Sequence, residues 1–481
     1  MKLNVSKANI FSITCIFLVY IFLFILCLNN CYFWDTIQQV SKEAHWFYIN
    51  DFKSLLIPTN NSDSDIMATG YHPPLMGIMT ALLWKVFGYK LWVSHAFSLF
   101  WAIILFYNLW KLISYIFKAK HIGLILLILL TESAILAQFS ISSPDFIILT
   151  AFVMSTRAIL KNKPGLLAIG MIFLCCINMR GIFLAASLFI SNIYFSRIRS
   201  NKNYKFKDFL KDTLPYLPAI ILIASYYIYY LTTKGWFLTN SPYSEHYIMP
   251  SSWTVLLRHF ISFFIRLLEN GRIIIWFIFA FFIFMILKKK YKLNSTEKFL
   301  LLTSTLIFSI YFIFIFISQM PFSPRYFMPL FLLITILSLN WSVTYLTNNK
   351  NKILLILIII FQITGNLWIY PEKIAKPWDC TLAHLPYYEL RKECFDYIDN
   401  HKLNYNDISG GGNFAGNRLY VELKDCGIIK PIDTDKKYFI YSNISNLDDN
   451  LIDELYDNSK WNNIKTFQKW PIIISIYQKV N

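Results

Sequence analysis

Charged residues are scarce in this chain of 481 residues, and acidic residues are the scarcest. Asp, Glu, Lys and Arg together make up 15% of the sequence, against about 25% in an average soluble domain. Of the 28 acidic residues, 16 lie in residues 371–481, which leaves 12 for residues 1–370. Apolar residues reach 56%, and the mean hydropathy is +0.46. This composition excludes an ordinary soluble domain for residues 1–370.

Two cofactor-binding patterns are also missing from the sequence. It contains no glycine-rich loop of the kind that holds nucleotide phosphates. The eight cysteines do not follow a metal-binding spacing. The sequence is compatible with a divalent metal ion bound by acidic side chains. It is also compatible with a disulfide between two of four cysteines: Cys31, Cys380, Cys394 and Cys426.

Apolar runs recur along residues 1–370 and indicate a polytopic α-helical membrane protein. We predict about eleven transmembrane helices, near residues 9–29, 92–114, 122–140, 146–160, 165–179, 181–195, 214–231, 273–287, 299–318, 327–346 and 352–370. The first run is longer than a typical signal-peptide core, and no small-residue cleavage site follows it. We therefore expect an uncleaved first span.

The net charge of +17 reflects basic loops between the spans. Such clustering follows the positive-inside rule and argues against a nucleic-acid partner. The basic loops include Lys2, Lys7, Lys118, Lys120, Lys161, Lys163, Lys202, Lys288 and Lys350. They share one side of the membrane if residues 73–88 form an amphipathic surface helix instead of a span. Loops 30–91 and 232–272 are then extracytoplasmic, and we predict a multi-pass protein of the plasma (inner) membrane.

The polar tail predicts a small soluble α/β domain on the extracytoplasmic side. Helical patterns cover Tyr388–His401 and Leu447–Asp457, and strand patterns cover Tyr438–Ser442 and Ile472–Tyr477. We therefore predict two units, a transmembrane domain over residues 1–370 and a C-terminal α/β domain over residues 371–481.

Two carboxylates stand where membrane helices meet the extracytoplasmic side. Asp35 follows the first span, and Asp145 follows Ser142-Ser143-Pro144 at a helix start. A carboxylate held there can act as a general base toward an acceptor hydroxyl. The structural alternatives are a solvated helix end for Asp35 and an N-terminal cap for Asp145. A second acidic group could also bind an acceptor or a metal.

Basic side chains on this side run against the positive-inside bias, which favours lipid phosphate as a partner. The candidates are His72, Arg180, Arg258, Arg266, Arg272 and Arg325. Anchoring to lipid headgroups is the alternative for each arginine. For His72, the alternative is a structural role ahead of Pro73-Pro74 at a helix start. Glu132 lies inside a predicted span and either pairs with another polar side chain or lines a cavity.

Several of these motifs resemble one known superfamily. Its members are the GT-C membrane glycosyltransferases, in the branch of protein mannosyltransferases and aminoarabinose-transferase-like enzymes. The resemblance covers roughly residues 9–345 and includes Phe33-Trp34-Asp35, His72-Pro73-Pro74-Leu75, Ser143-Pro144-Asp145 and Pro324-Arg325-Tyr326. Many relatives have Asp-Glu at the first motif, whereas Thr36 follows Asp35 here.

The resemblance implies a GT-C fold and transfer of a sugar from a polyprenyl-phosphate donor to a lipid, protein or envelope-glycan acceptor. It makes Asp35 the expected catalytic base and gives Asp145 an acceptor-positioning or metal-binding role. The expected substrate-binding residues are His72, Arg180, Arg258, Arg266, Arg325 and Tyr326.

Three other functions stay open. A ligase or polymerase of lipid-linked glycans would use similar Arg and His side chains. A transporter of polyprenyl lipid or oligosaccharide would carry inverted repeats and charges at the bilayer midplane. A scaffold for envelope assembly would act through the tail.

Overall fold

The computed structural model describes residues 7–57, 72–117, 121–200, 203–235, 248–319 and 321–480. Four residues of the basic loops lie outside these ranges: Lys2, Lys118, Lys120 and Lys202. Helices dominate residues 7–365, and the short strands all follow residue 400.

Most of the helices before residue 370 follow the apolar runs. They are α1 (Lys7–Cys27), α2 (Glu43–Ile49), α3 (Leu75–Phe87), α4 (Leu91–Ile116), α5 (Ile122–Leu130), α6 (Ser133–Ser140), α7 (Pro144–Leu160), α8 (Pro164–Ile177), α9 (Met179–Arg199), α10 (Phe206–Thr213), α11 (Leu217–Lys234), α12 (Trp253–Leu268), α13 (Ile273–Leu287), α14 (Ser295–Ile317), α15 (Met328–Tyr345) and α16 (Asn348–Gly365). Helices cover each of the eleven predicted spans, but the single span predicted over residues 122–140 is two helices, α5 and α6. Within the described ranges, six helical segments are long and apolar enough to cross a membrane, or up to eight if each bent pair counts as one span.

The two bent pairs are α5–α6, with an angle of 63°, and α12–α13, with an angle of 92°. The predicted extracytoplasmic loop 232–272 contains a helix, α12, for which the sequence analysis made no prediction. Its apolar residues recur every three or four positions (Leu256, Phe260, Phe263 and Leu267 among them), which makes one apolar face. Ser252 caps the first turn by accepting a hydrogen bond from the Val255 amide at 3.3 Å.

Two glycines let the α12–α13 corner pack backbone to backbone against α16. Gly271 has a φ of +81°, and a Cβ there would stand 2.0 Å from the carbonyl oxygen of Phe361. A Cβ on Gly365 would stand 2.1 Å from the carbonyl oxygen of Asn270. Only glycine fits such an approach, so the corner depends on both residues.

Helix α3 occupies the segment predicted as a surface helix. Its 13 residues rise about 20 Å, less than the roughly 30 Å of a hydrocarbon core. Its placement at a membrane surface stays a prediction.

The tail forms a four-stranded sheet with helices beside it. The elements are α17 (Pro386–Asn400), β1 (Ile408–Gly410), β2 (Gly416–Asn417), α18 (Leu419–Glu422), β3 (Ile428–Ile429), β4 (Tyr438–Ser442), α19 (Asp449–Leu455), β5 (Trp461–Lys469) and β6 (Ile472–Lys479). The strand order is β1-β4-β6-β5, with β1 parallel to β4 and the other pairs antiparallel; β2 and β3 form a separate pair. β4 has the predicted bounds, and β6 begins at the predicted residue.

The tail packs against the ends of the apolar helices. Phe33 and Ile141 belong to the same buried apolar cluster as Tyr387 and Phe414 of the tail. The Phe33 ring stacks on His384 with 5.0 Å between ring centroids. Gln138 donates a hydrogen bond to the carbonyl of Asp379 at 2.7 Å. The tail therefore forms one wall of the space above these helix ends, while the division at residue 370 stays a prediction.

Candidate functional site

A cavity of about 470 Å³ lies between the helix ends and the tail. Six of the eight predicted site residues line this cavity: Asp35, His72, Arg180, Arg266, Arg325 and Tyr326. Asp145 and Arg258 are absent from its lining. The lining also includes Asp379 and Asn446 of the tail, so distant parts of the sequence meet in one place because the tail folds back over the start of the chain.

Asp35 is held by an unusual local backbone. Trp34 has a φ of +53°, a region that bulky residues seldom adopt. The Trp34 amide donates to the Asn413 side chain of the tail at 2.9 Å. A π-helical segment, Ile37–Lys42, then follows Asp35, and such segments recur at functional sites. Together these features aim the Asp35 carboxylate at the cavity.

Thr36 is the residue that follows Asp35 in the first motif. Its hydroxyl donates to the Phe33 carbonyl at 2.6 Å and accepts from the Phe33 amide at 2.9 Å. Thr36 is buried and does not line the cavity. Its role is to close the turn that carries Asp35.

Arg325 is surrounded by three carboxylates from three parts of the chain. Its guanidinium contacts Asp35 and Asp379, and its Nε lies 3.2 Å from Asp145. Arg325 is buried, as are Asp145 and Asp379, whereas the Asp35 side chain is 40% exposed. Asp35 is therefore the carboxylate of this cluster that a substrate can reach.

Asp145 stands behind two arginines. Arg180 Nη2 donates to both of its oxygens, at 2.8 and 3.0 Å. The guanidinium of Arg180 also lies 3.9 Å from the ring centre of Tyr326. Asp145 sits in the first turn of α7, where the helix dipole favours a carboxylate. The predicted capping position itself belongs to Ser143, whose hydroxyl accepts from the Asp145 amide.

His72 lines the cavity at the entry to α3. Its carbonyl accepts a hydrogen bond from the Tyr226 hydroxyl at 3.0 Å. Burial lowers the pKa of His72 to about 3, assisted by the nearby charge of Arg180 and opposed by Asp35. The imidazole is therefore neutral at pH 7 and acts there as a hydrogen-bonding group.

The two arginines of α12 have different surroundings. Arg266 lines the cavity, pairs with both oxygens of Glu269 at 2.9 and 3.1 Å, and donates to the Ala375 carbonyl at 2.9 Å. Arg258 is exposed on α12. The structure thus brings Arg266 to the site and leaves Arg258 outside it.

Glu132 and Arg272 form a buried ion pair with 2.9 Å between Nε and the carboxylate. Glu132 also accepts from the Ile135 amide and caps α6. Arg272 donates to the Pro324 carbonyl at 2.8 Å. Of the two alternatives for Glu132, pairing with a polar side chain or lining a cavity, the structure supports pairing. It also makes Arg272 a support for the turn that carries Arg325.

Two charged residues of the site escaped sequence reasoning. Asp379 and Lys376 belong to the segment Ala375–Cys380, which has no strong periodicity and precedes the tail helices. Burial raises the pKa of Asp379, and the charge of Arg325 opposes that rise. The dipeptide Trp378-Asp379 repeats the dipeptide Trp34-Asp35. This repeat is the sequence feature that could have identified Asp379 as a site residue.

The acidic residues here do not fit a resident metal. Across the described ranges, no group of three or more His, Cys, Asp or Glu side chains is placed to hold an ion. Both oxygens of Asp145 face guanidinium groups. The metal-binding role considered for Asp145 gains no geometric support.

Two solved structures are similar to this chain, both of ArnT from Cupriavidus metallidurans, one bound to undecaprenyl phosphate and one in the apo state. Each is 11% identical with a TM-score of 0.49, over 96% of this chain and 97% of that chain. No family model and no curated protein matches the chain. The likeness assigns neither substrate nor activity to this chain.

Proposed function

We propose that this chain is a membrane glycosyltransferase of the GT-C type. It transfers a sugar from a polyprenyl-phosphate donor to a hydroxyl of a lipid, protein or envelope glycan. The observation that carries the proposal is the position of Asp35. It is an accessible carboxylate at the mouth of a membrane helix, in a cavity that also holds arginine and apolar side chains.

Asp35 is the catalytic base of the proposed reaction. The acceptor hydroxyl gives its proton to Asp35 while its oxygen attacks the anomeric carbon of the sugar. The bond between that carbon and the phosphate oxygen breaks, and polyprenyl phosphate leaves with the electron pair. Attack opposite to the leaving group inverts the configuration at the carbon.

The buried carboxylates have a different task from Asp35. Asp145 and Asp379 neutralise Arg325 and Arg180 and hold both guanidinium groups in place. Arg325 is at the same time in contact with Asp35, which orients that carboxylate. Fixed charges of this kind stabilise the charge that develops during transfer without reorganising.

The remaining wall of the cavity suits the lipid part of the donor. It is built from apolar side chains of α9, α14 and the turn after α14: Met179, Phe183, Phe314, Pro321 and Phe322. A prenyl chain entering from the bilayer would lie along this wall with its phosphate toward the arginines.

The test is sugar transfer by the purified chain in lipid nanodiscs. A panel of polyprenyl-phosphate sugars is offered with lipid, peptide and glycan acceptors, and release of polyprenyl phosphate is followed. We expect release that depends on an acceptor. Movement of intact donor between leaflets without release would favour a transporter, and transfer of whole glycans only would favour a ligase.

Orientation is part of the proposal, with the cavity and the tail on the extracytoplasmic face of the inner membrane. The basic loops support it through the positive-inside rule. A C-terminal reporter enzyme that works only outside the cytoplasm should be active when fused to the chain. An inactive reporter would contradict this orientation.

A further inference from the structure

The cations that line the cavity are not equally available to an anion. Arg180 pairs with Asp145, Arg266 with Glu269, and Arg325 with three carboxylates. Lys376 also lines the cavity. Within the described part of the chain, it has no carboxylate at ion-pair distance.

Lys376 is nevertheless held in place. Its backbone is bound at both ends by Asn446, which accepts from the Lys376 amide at 3.1 Å and donates to its carbonyl at 3.0 Å. The ammonium donates to the Trp368 carbonyl and lies 4.9 Å from the ring centre of Trp378 and 5.8 Å from that of Tyr370. A lysine ammonium has three donors, so two remain for a ligand.

A buried cation without a counter-ion is costly. Lys376 is 3% exposed, and moving an ammonium out of water is unfavourable unless a partner compensates the charge. Burial lowers the pKa of Lys376 to about 8, with Glu269 opposing the shift. The rings and the carbonyl compensate only part of the charge. An anion in the cavity would complete its surroundings.

We propose that Lys376 binds the phosphate of the lipid donor and, after transfer, the phosphate of the leaving polyprenyl phosphate. The proposal rests on the proposed function and adds a binding residue to it. It also gives the segment ahead of α17 a role in recognition of the donor.

The chemistry favours a lysine for this task. Carboxylates balance the charges of Arg180, Arg266 and Arg325. These arginines therefore attract an added anion less strongly than Lys376 does. A phosphodiester donor is an anion, and its charge increases when the sugar leaves. An ammonium with two available donors binds that phosphate as a point charge.

The experiment compares two lipids that differ only in the phosphate. Undecaprenyl phosphate and undecaprenol are titrated into the full-length protein in nanodiscs, as wild type, Lys376→Gln, Lys376→Arg and Lys373→Gln. Lys373 is the matched control because it lies three positions away, is 47% exposed and pairs with Asp453 at 2.6 Å. Charge-assisted hydrogen bonds contribute enough that Lys376→Gln should weaken binding of the phosphate lipid about 10- to 100-fold.

The same substitution should leave undecaprenol binding unchanged. Lys376→Arg should retain most of the affinity, and Lys373→Gln should bind both lipids like wild type. If Lys376→Gln binds the phosphate lipid as tightly as wild type, or loses both lipids equally, the proposal is wrong. If wild type itself does not distinguish the two lipids, the proposed function fails instead.

Wild-type protein alone provides a second measurement, in case Lys376→Gln does not fold. The titratable groups near Lys376 are Glu269 and Tyr370, with Arg266 and Asp379 in the lining of the same cavity, and all of them stay in place in this experiment. The preference of wild type for the phosphate lipid should fall as pH rises above about 8, while Lys376→Arg keeps it. A flat wild-type profile over that range would contradict the proposal.

Discussion

One nitrogen of Arg180 donates to both oxygens of Asp145, at 2.8 and 3.0 Å. This relationship separates the two acids that the sequence places at helix ends. Asp145 is buried and paired with guanidinium groups, whereas the Asp35 side chain is partly exposed toward the cavity. Asp35 is the proposed catalytic base and Asp145 positions the arginines. We therefore expect substitution of Asp35 to affect sugar transfer and substitution of Asp145 to affect stability.

Replacing Asp35 with Asn should remove sugar transfer and keep donor binding. The amide retains the shape and contacts Arg325 but cannot accept the acceptor's proton, and general-base catalysis contributes about 10²- to 10⁴-fold. Release of polyprenyl phosphate per enzyme is the measurement. Asp51→Asn is the control, since Asp51 is an exposed acid whose φ of +50° asparagine tolerates. Full activity of Asp35→Asn would exclude it as the base.

Replacing Asp145 with Asn should destabilise the protein. The change leaves Arg180 and Arg325 with less negative charge in a buried place, and breaking a buried ion pair costs about 3–5 kcal/mol. Thermal unfolding of the detergent-solubilised protein should show a clear fall in Tm. Asp51→Asn, at an exposed pair with Lys85, should change stability by no more than about 1 kcal/mol. Equal Tm values for the two variants would argue against a positioning role.

Acidification should destabilise wild type more than His72→Gln. His72 has its pKa lowered to about 3, so between that value and its ordinary 6.5 the unfolded chain binds a proton that the folded chain does not. Stability therefore falls as pH falls through that window, by about 2 kcal/mol between pH 6.5 and 5. Unfolding curves recorded from pH 7 to 5 measure the two slopes. Parallel slopes would show that His72 is not buried as a neutral group.

Replacing Gly365 with Ala should disrupt the α12–α13 corner. The new Cβ would stand 2.1 Å from the Asn270 carbonyl oxygen, and overpacking costs about 1–3 kcal/mol or more. Because Arg266 and Arg272 flank this corner, sugar transfer should fall with stability. Gly165→Ala is the control, since a Cβ there meets nothing within 4 Å. A Gly365→Ala protein as stable as that control would contradict the packing described for α16.

Local pattern predicted much of the fold. Runs of apolar residues predicted a helix at each proposed span, and alternation predicted Tyr438–Ser442 as a strand with its observed bounds. It did not predict α12, because Arg258 and Arg266 break the continuous apolar run in that segment even though they lie off its apolar face. It also did not predict β5, whose Asn462-Asn463 and lysines are polar.

The sequence by itself determined where Asp35, His72, Arg180 and Arg325 stand relative to the apolar runs, because helix ends follow from local composition. Only the tertiary structure decided which cation pairs with which acid. Arg325 meets Asp35 across 290 positions, and Lys376 and Asp379 reach the cavity because the tail packs on Phe33. The physical reason is that ion pairing between distant segments depends on how helices and tail pack, which no local periodicity encodes.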